Sequence, residues 1–158
     1  MLYSIVREYI GDTKDKVVFD LYSGTGTIAQ LAASVADEVI GVEIVEEAVE
    51  AAKQNAALNN LSNCKFIAGD VLKVLDDLTE KPDVIILDPP RMESIPKHCR
   101  RFFLWGRPYC IYFLQSDQPG KRSSGILAAG YKLEKPAALI NFVRLFTWRR
   151  WSCFQGRD

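Results

Sequence analysis

Four carboxylates stand at the ends of four apolar runs: Asp20 after "KVVF", Glu43 in "GVEI", Asp70 after "FIAG" and Asp88 after "VIIL". Between the first two lies "SGTGTIA", with Gly24, Gly26 and Ala29 in a GxGxxA spacing. Glycines so spaced let the backbone turn tightly and approach a ligand closely. Carboxylates around such a turn accept hydrogen bonds from hydroxyl and amino groups, and they favour a cationic ligand over an anionic one. The chemistry on offer is the holding of a small, polar, positively charged molecule.

Glu43 lies seventeen residues past Gly26, placed to hydrogen-bond the two hydroxyls of a ribose. Nicotinamide dinucleotide sites and S-adenosylmethionine sites share that feature, so it does not separate them. Asp20 does, because a pyrophosphate would bring two negative phosphates toward a negative side chain, whereas a cationic, amino-acid-bearing cofactor tolerates it. Asp70 is a candidate acceptor for an adenine amino group, and Asp88 ends the fourth run. The set suits an S-adenosylmethionine pocket. Plainer readings are that Asp20 and Asp70 cap helices and that Glu43 is merely solvated.

The periodicity supplies the elements that must position these residues. Strands are predicted over 16–22, 38–44, 64–70 and 82–88, and helices over 27–36, 45–60 and 71–78. Val45, Ala48, Val49, Ala52 and Ala56 fall on one face at helical spacing. The fourth strand is almost continuously apolar, as in a parallel sheet buried on both faces. Strands alternating with helices predict a doubly wound, Rossmann-like α/β fold, with ligands beyond the carboxyl ends of the strands.

With 158 residues and 48% hydrophobic content, the chain is long enough for one domain with a real core. Cys64, Cys99, Cys110 and Cys153 are isolated, with no CxxC pair, and His98 is the sole histidine; no metal site is expected. Neither a leader nor an apolar run of the roughly 20 residues needed to cross a bilayer is present, and a soluble cytoplasmic protein is expected. Residues 1–88 carry seven Lys/Arg against sixteen Asp/Glu, and residues 89–158 carry thirteen against four. The formal charge of zero thus hides a −9 and a +9 part.

The stretches "VVFDLYSGTGTIAQLAA", "GVEIVEEAVEAAKQNAALNNLSNCKFIAGD" and "DVIILDPPR" resemble the methyltransferase domain of the RNA uracil-5-methyltransferases that modify tRNA and ribosomal RNA. The resemblance covers residues 1–91, with "DPPR" its sharpest element, and implies the mostly parallel sheet of the class I methyltransferase type. It also implies that Tyr22, Glu43 and Asp88 contact S-adenosylmethionine, that Asp20, Gly24, Gly26, Thr27 and Asp70 shape its pocket, and that RNA is the partner. Upstream RNA-binding segments and a further cofactor-contacting Gln, expected before Met1, are not in this sequence. One domain over 1–158 is expected, family-like to residue 91 and divergent beyond.

In that family a Cys thiolate adds to uracil C6 so that C5 can attack the methyl group, and a Glu later removes the C5 proton. The resemblance puts the Cys in an "SC" 27 residues past Asp88, where this chain has Gln115 in "IYFLQSDQ". Gln has no ionisable nucleophile. Cys110 lies five residues too early in an apolar run and reads as a buried strand residue. Cys64 begins a strand, and Cys99 in "KHCRR" is off-motif, although its basic neighbours would lower a thiol pKa.

If Trp105 to Ser124 is written back into one permissible set of codons, a one-nucleotide shift reads GVDRIVYISCKATSLARDL, which supplies the missing "SC". After it, "GILAAGYKLEK" is family-like again, and "RRWSCF" can be shifted to give a "VE" pair like the family's base. The expectation is that residues 92–124, and again 136 onward, are translated out of frame, leaving the chain without activity. Shifted codons also account for the basic excess, against an RNA-facing surface as the other account. The competing readings are a residual S-adenosylmethionine-binding domain without catalysis and a methyltransferase acting on amino groups of RNA or protein.

Overall fold

A computed structural model describes residues 15–87 in full and, for the rest of the chain, the backbone of three strands within 109–150. Strands β1 (Val17–Leu21), β2 (Glu38–Glu43), β3 (Cys64–Ala68) and β4 (Val84–Leu87) alternate with helices α1 (Thr27–Ala33), α2 (Glu46–Leu58) and α3 (Val71–Asp77). Strands β5 (Tyr109–Gln115), β6 (Tyr131–Leu139) and β7 (Val143–Arg150) complete one sheet of order β3-β2-β1-β4-β5-β7-β6. The first five of these strands in space pair in parallel, and β7 runs antiparallel to both its neighbours. The sheet is mostly parallel, as the alternation of strand and helix predicts. The order reverses between β1 and β4, which is where ligands bind in sheets of this kind.

Every residue from Val18 to Leu21 and from Val84 to Leu87 is buried. Strands covered on both faces explain why these segments read as continuous apolar runs rather than alternating ones. On one face, Val18, Val84 and Ile86 pack against Ala29, Ala32 and Ala33 of α1 and Val49, Ala52 and Ala56 of α2. Strand alternation turns Phe19, Leu21 and Ile85 to the opposite face. Val71 and Leu75 of α3 are buried but lie outside the first cluster.

Two predicted elements differ in detail. Helix α1 stops at Ala33 rather than at residue 36, and Asn63 Nδ2 donates to the carbonyls of Ala33 and Ala36 at 2.9 and 3.1 Å. A side chain from the loop before β3 thus satisfies acceptors that further helix would have used. Val45, expected on the buried face of the second helix, is its N-cap and 48% exposed, and Ala48 is half-buried. The apolar face of α2 begins only at Val49.

Phe66, 7% exposed on β3, is closely packed against two glycines. Gly41 faces it across the β2–β3 ladder, and a Cβ on Gly41 would lie 2.5 Å from Phe66 Cδ1. A Cβ on Gly26 would lie 2.7 Å from Cε1 and Cζ of the same ring and 3.0 Å from the Ala52 Cβ. The ring therefore occupies the volume that two glycines leave vacant. Such a site cannot accept a methyl group without displacing the ring, so Gly41→Ala is expected to cost about 1–3 kcal/mol in urea unfolding. The double variant with Phe66→Leu should cost less than the sum of the two single changes, since both act on one contact.

Candidate functional site

β1 ends at Leu21, and the chain then turns on three residues with left-handed backbone: Tyr22 (φ 67), Gly24 (φ 53) and Gly26 (φ 77). The amides of Tyr22 and Ser23 both donate to the carbonyl of Val42, at 2.8 and 3.1 Å, and the Gly26 amide donates to the Ser23 carbonyl at 2.9 Å. The turn is thus sewn to the end of β2. For a tyrosine the left-handed region costs about 1–2 kcal/mol, which the double contact to Val42 offsets. A left-handed non-glycine residue held by its surroundings is often found at functional sites.

Glu43, the last residue of β2, is fastened by three backbone donors. Its Oε2 accepts from the Gly24 amide at 3.0 Å, and its Oε1 accepts from the amides of Ile44 and Val45 at 2.8 and 3.1 Å. Its own carbonyl accepts from the Gly69 amide at 2.8 Å, next to Asp70. The glycine turn, the second-strand acid and the third-strand acid therefore meet at one edge of the sheet. A carboxylate offers about four lone-pair directions, so acceptor capacity remains after three donors. Glu43 is not a merely solvated side chain.

The other predicted residues fall as follows. Asp20 is 1% exposed within β1, flanked by Gly41 and Ile86, and so lies inside the sheet below the turn rather than at its mouth. It caps no helix: the N-cap of α1 is Gly26, without a side-chain bond. Asp70 does cap one, its Oδ1 accepting from the Lys73 amide at 3.2 Å, which leaves Oδ2 for another donor. Thr27 opens α1 and is exposed. Asp88, Cys99 and His98 lie outside the described residues, as do the side chains of Cys110 and Gln115; the backbone puts Cys110 inside β5 and Gln115 at its end.

Gly24 belongs to the glycine spacing read from the sequence, whereas Ser23, Gly41 and Ile44 at the same edge were not singled out by it. A Cβ on Gly24 would meet nothing within 4 Å among the described residues, so the turn is open on that side. Ile44 and Val45, directly after Glu43, are 61% and 48% exposed. The Ser23 hydroxyl is buried, has no hydrogen-bond partner among the described residues, and lies 3.0 Å from where a Gly41 Cβ would stand. Of Ser23, Gly41 and Ile44, only Gly41 had a sequence signal, being an isolated glycine in a strand, which marks close approach.

Cys64 begins β3 and is partly buried. Burial pushes its thiol up to about 11, with the negative charge of Asp20 adding to the effect. An open groove of about 450 Å³ beside it, lined among others by Lys53, Leu61 and Cys64, sits at the amino end of β3, away from the carboxylates. Among the described residues no group of three or more His, Cys, Asp or Glu could hold a metal, and no helix is long and apolar enough to cross a membrane.

Residues 12–114 match the family described as a methyltransferase domain. This chain belongs to that family. An RNA methyltransferase of Clostridium acetobutylicum, called uncharacterized, is 52% identical over 135 residues, covering 85% of this chain and 30% of its own length. Its counterpart in Caldanaerobacter subterraneus subsp. tengcongensis is 57% identical over 142 residues, covering 89% and 32%. The chain thus spans about three-tenths of these relatives. Among solved structures, a ribosomal protein L11 methylase from Lactobacillus delbrueckii subsp. bulgaricus superposes with TM-score 0.78 at 20% identity, over 95% of this chain and 77% of that one. SMU.776, solved as a complex with SAH, gives 0.76 at 17% identity, over 92% and 48%. The expected mostly parallel sheet of the class I methyltransferase type is the fold of these solved structures.

Two measurements follow for this methyltransferase domain. Between the unfolded thiol value of 9.0 and the folded value of about 11, the folded state binds more protons through Cys64, so its contribution to stability is full below pH 9 and is lost as pH rises toward 11. Chemical denaturation across that window should show a shallower fall in a Cys64→Ala variant than in the parent. Gly24→Ala should cost about 1–2 kcal/mol from its left-handed backbone alone, and Gly26→Ala more, because the ring of Phe66 must also move.

Proposed function

We propose that this chain is the S-adenosylmethionine-binding part of a cytoplasmic RNA methyltransferase of the uracil-5 type, acting on tRNA or ribosomal RNA. The observation that carries the cofactor part is the Glu43 carboxylate, held by three backbone amides at the end of β2, one of them from the open side of the glycine turn. The residues fit the group. Glu43 retains acceptor capacity for ribose hydroxyls, Ile44 and Val45 offer exposed apolar surface for a purine ring, and Asp70 keeps one oxygen for an amino group. Tyr22, Gly24, Gly26 and Thr27 line the turn, Asp20 supplies negative charge beneath it, and Asp88 follows the end of β4. When bound, the cofactor supplies an electrophilic methyl group on a sulfonium.

The names of the relatives support an RNA substrate, and "DPPR" after β4 supports uracil C5 as the acceptor. The nucleophile would belong at the carboxyl end of β5, one strand from β4, where this chain ends the strand with Gln115. As written, the chain binds the cofactor and transfers nothing, and residues 92–124 and 136 onward are out of frame. Residues 1–158 form one domain in this reading, with 92–158 divergent and the RNA-binding segments elsewhere in the longer protein.

Titration calorimetry should detect S-adenosylmethionine binding, and Glu43→Ala should weaken it by about 10- to 100-fold, the loss of one charge-assisted hydrogen-bond acceptor. Radiolabelled methyl transfer to uridine-containing RNA should be absent from this chain and present in one whose reading frame is restored. Coding DNA that cannot yield the "SC" string in a neighbouring frame would end the frame explanation. An N-methylated product would favour the amino-group reading instead.

A further inference from the structure

The glycine turn is braced from behind by a residue outside the set that surrounds the cofactor. Asn55, on α2, donates from Nδ2 to the carbonyl of Thr25 at 3.5 Å, across thirty residues of sequence. The same peptide unit is tied at its other end, where the Gly26 amide meets the Ser23 carbonyl at 2.9 Å. Three residues before Asn55, Ala52 stands 3.0 Å from where a Gly26 Cβ would be. Helix α2 therefore meets the turn twice, once by steric contact and once by a hydrogen bond.

The place of that bond matters more than its strength, which is modest at this length. Thr25 lies between Gly24 (φ 53) and Gly26 (φ 77), two residues whose backbone is free to take many other conformations. The peptide between them has the least intrinsic restraint in the turn, and a donor on its carbonyl fixes its orientation. Asparagine is also a poor helix former, so local propensity gives no reason for it at this position.

We infer that Asn55 is a positioning residue for the cofactor-binding turn, setting the orientation of the Thr25–Gly26 peptide. The inference rests on the reading of this turn as an S-adenosylmethionine site. Asn59 provides the control: one helical turn further along α2, its Nδ2 donates at 2.7 Å to Gln30 Oε1 on α1 and does not touch the glycine turn. A purely structural role for helix-to-helix ties predicts equal effects from the two asparagines.

The test uses the full chain with Asn55→Ala, Asn55→Asp and Asn59→Ala, and measures hydrogen exchange at the Gly26 amide, S-adenosylmethionine affinity by calorimetry, and Tm. Both Asn55 variants should speed Gly26 exchange and weaken cofactor binding by about tenfold, the scale of one hydrogen bond. Asn59→Ala should lower Tm to a similar extent and leave the other two quantities within about twofold, as expected of a tie remote from the turn. Unchanged Gly26 exchange in both Asn55 variants, or an equal change in Asn59→Ala, overturns the inference. A parent chain that binds no S-adenosylmethionine while Gly26 exchange still responds to Asn55 alone removes the cofactor reading and leaves the bracing of the turn standing.

Discussion

The seating of one aromatic ring against two glycines is the contact on which the edge carrying the glycine turn and Glu43 depends. Phe66 fills the space beside Gly26 in the turn and Gly41 in β2, and Ala52 of α2 closes the same volume from the helix side. Burying such a side chain contributes about 1.5–3 kcal/mol. Its larger effect is geometric: the turn after β1, the middle of β2, the middle of β3 and the face of α2 are all indexed to the same ring. Any one of them can shift only if the others do.

That indexing explains how a short glycine turn can keep its shape without much help from its own side chains. Backbone amides at Tyr22 and Ser23 converge on the Val42 carbonyl, and amides at Gly24, Ile44 and Val45 converge on the Glu43 carboxylate. Main-chain groups hold the acid, and the acid in turn holds the turn. Such an arrangement is stiff because its donors belong to residues already fixed by the sheet, and a stiff site loses little conformational freedom when a ligand arrives.

Much of this was legible in the sequence. The alternation of four strands with three helices, the left-handed glycines and the placing of Glu43 at a strand end all follow from local pattern, because periodicity and turn chemistry are short-range signals. Asp70 as a helix cap was equally open to a local reading, three residues from its donor. What escaped was long-range. Nothing near Asn55 or Phe66 in sequence reveals that they meet the turn thirty or more residues away, and Asp20 could be placed at a strand end but not seen to lie beneath the turn. Val45 was misassigned to the buried face because a helical apolar pattern cannot tell a cap from the first buried position.

Strand β5 lies in register beside β4, Ile111 opposite Ile86 and Tyr112 opposite Leu87, and ends at Gln115. A slot in a sheet can be filled by many apolar pentapeptides, so the instruction for shape is highly redundant. An instruction for chemistry, which asks for one reactive atom at one position, has far fewer synonyms. A fold of this kind can therefore outlast a change in its chemistry, and a well-paired sheet is by itself a poor witness to whether an enzyme works.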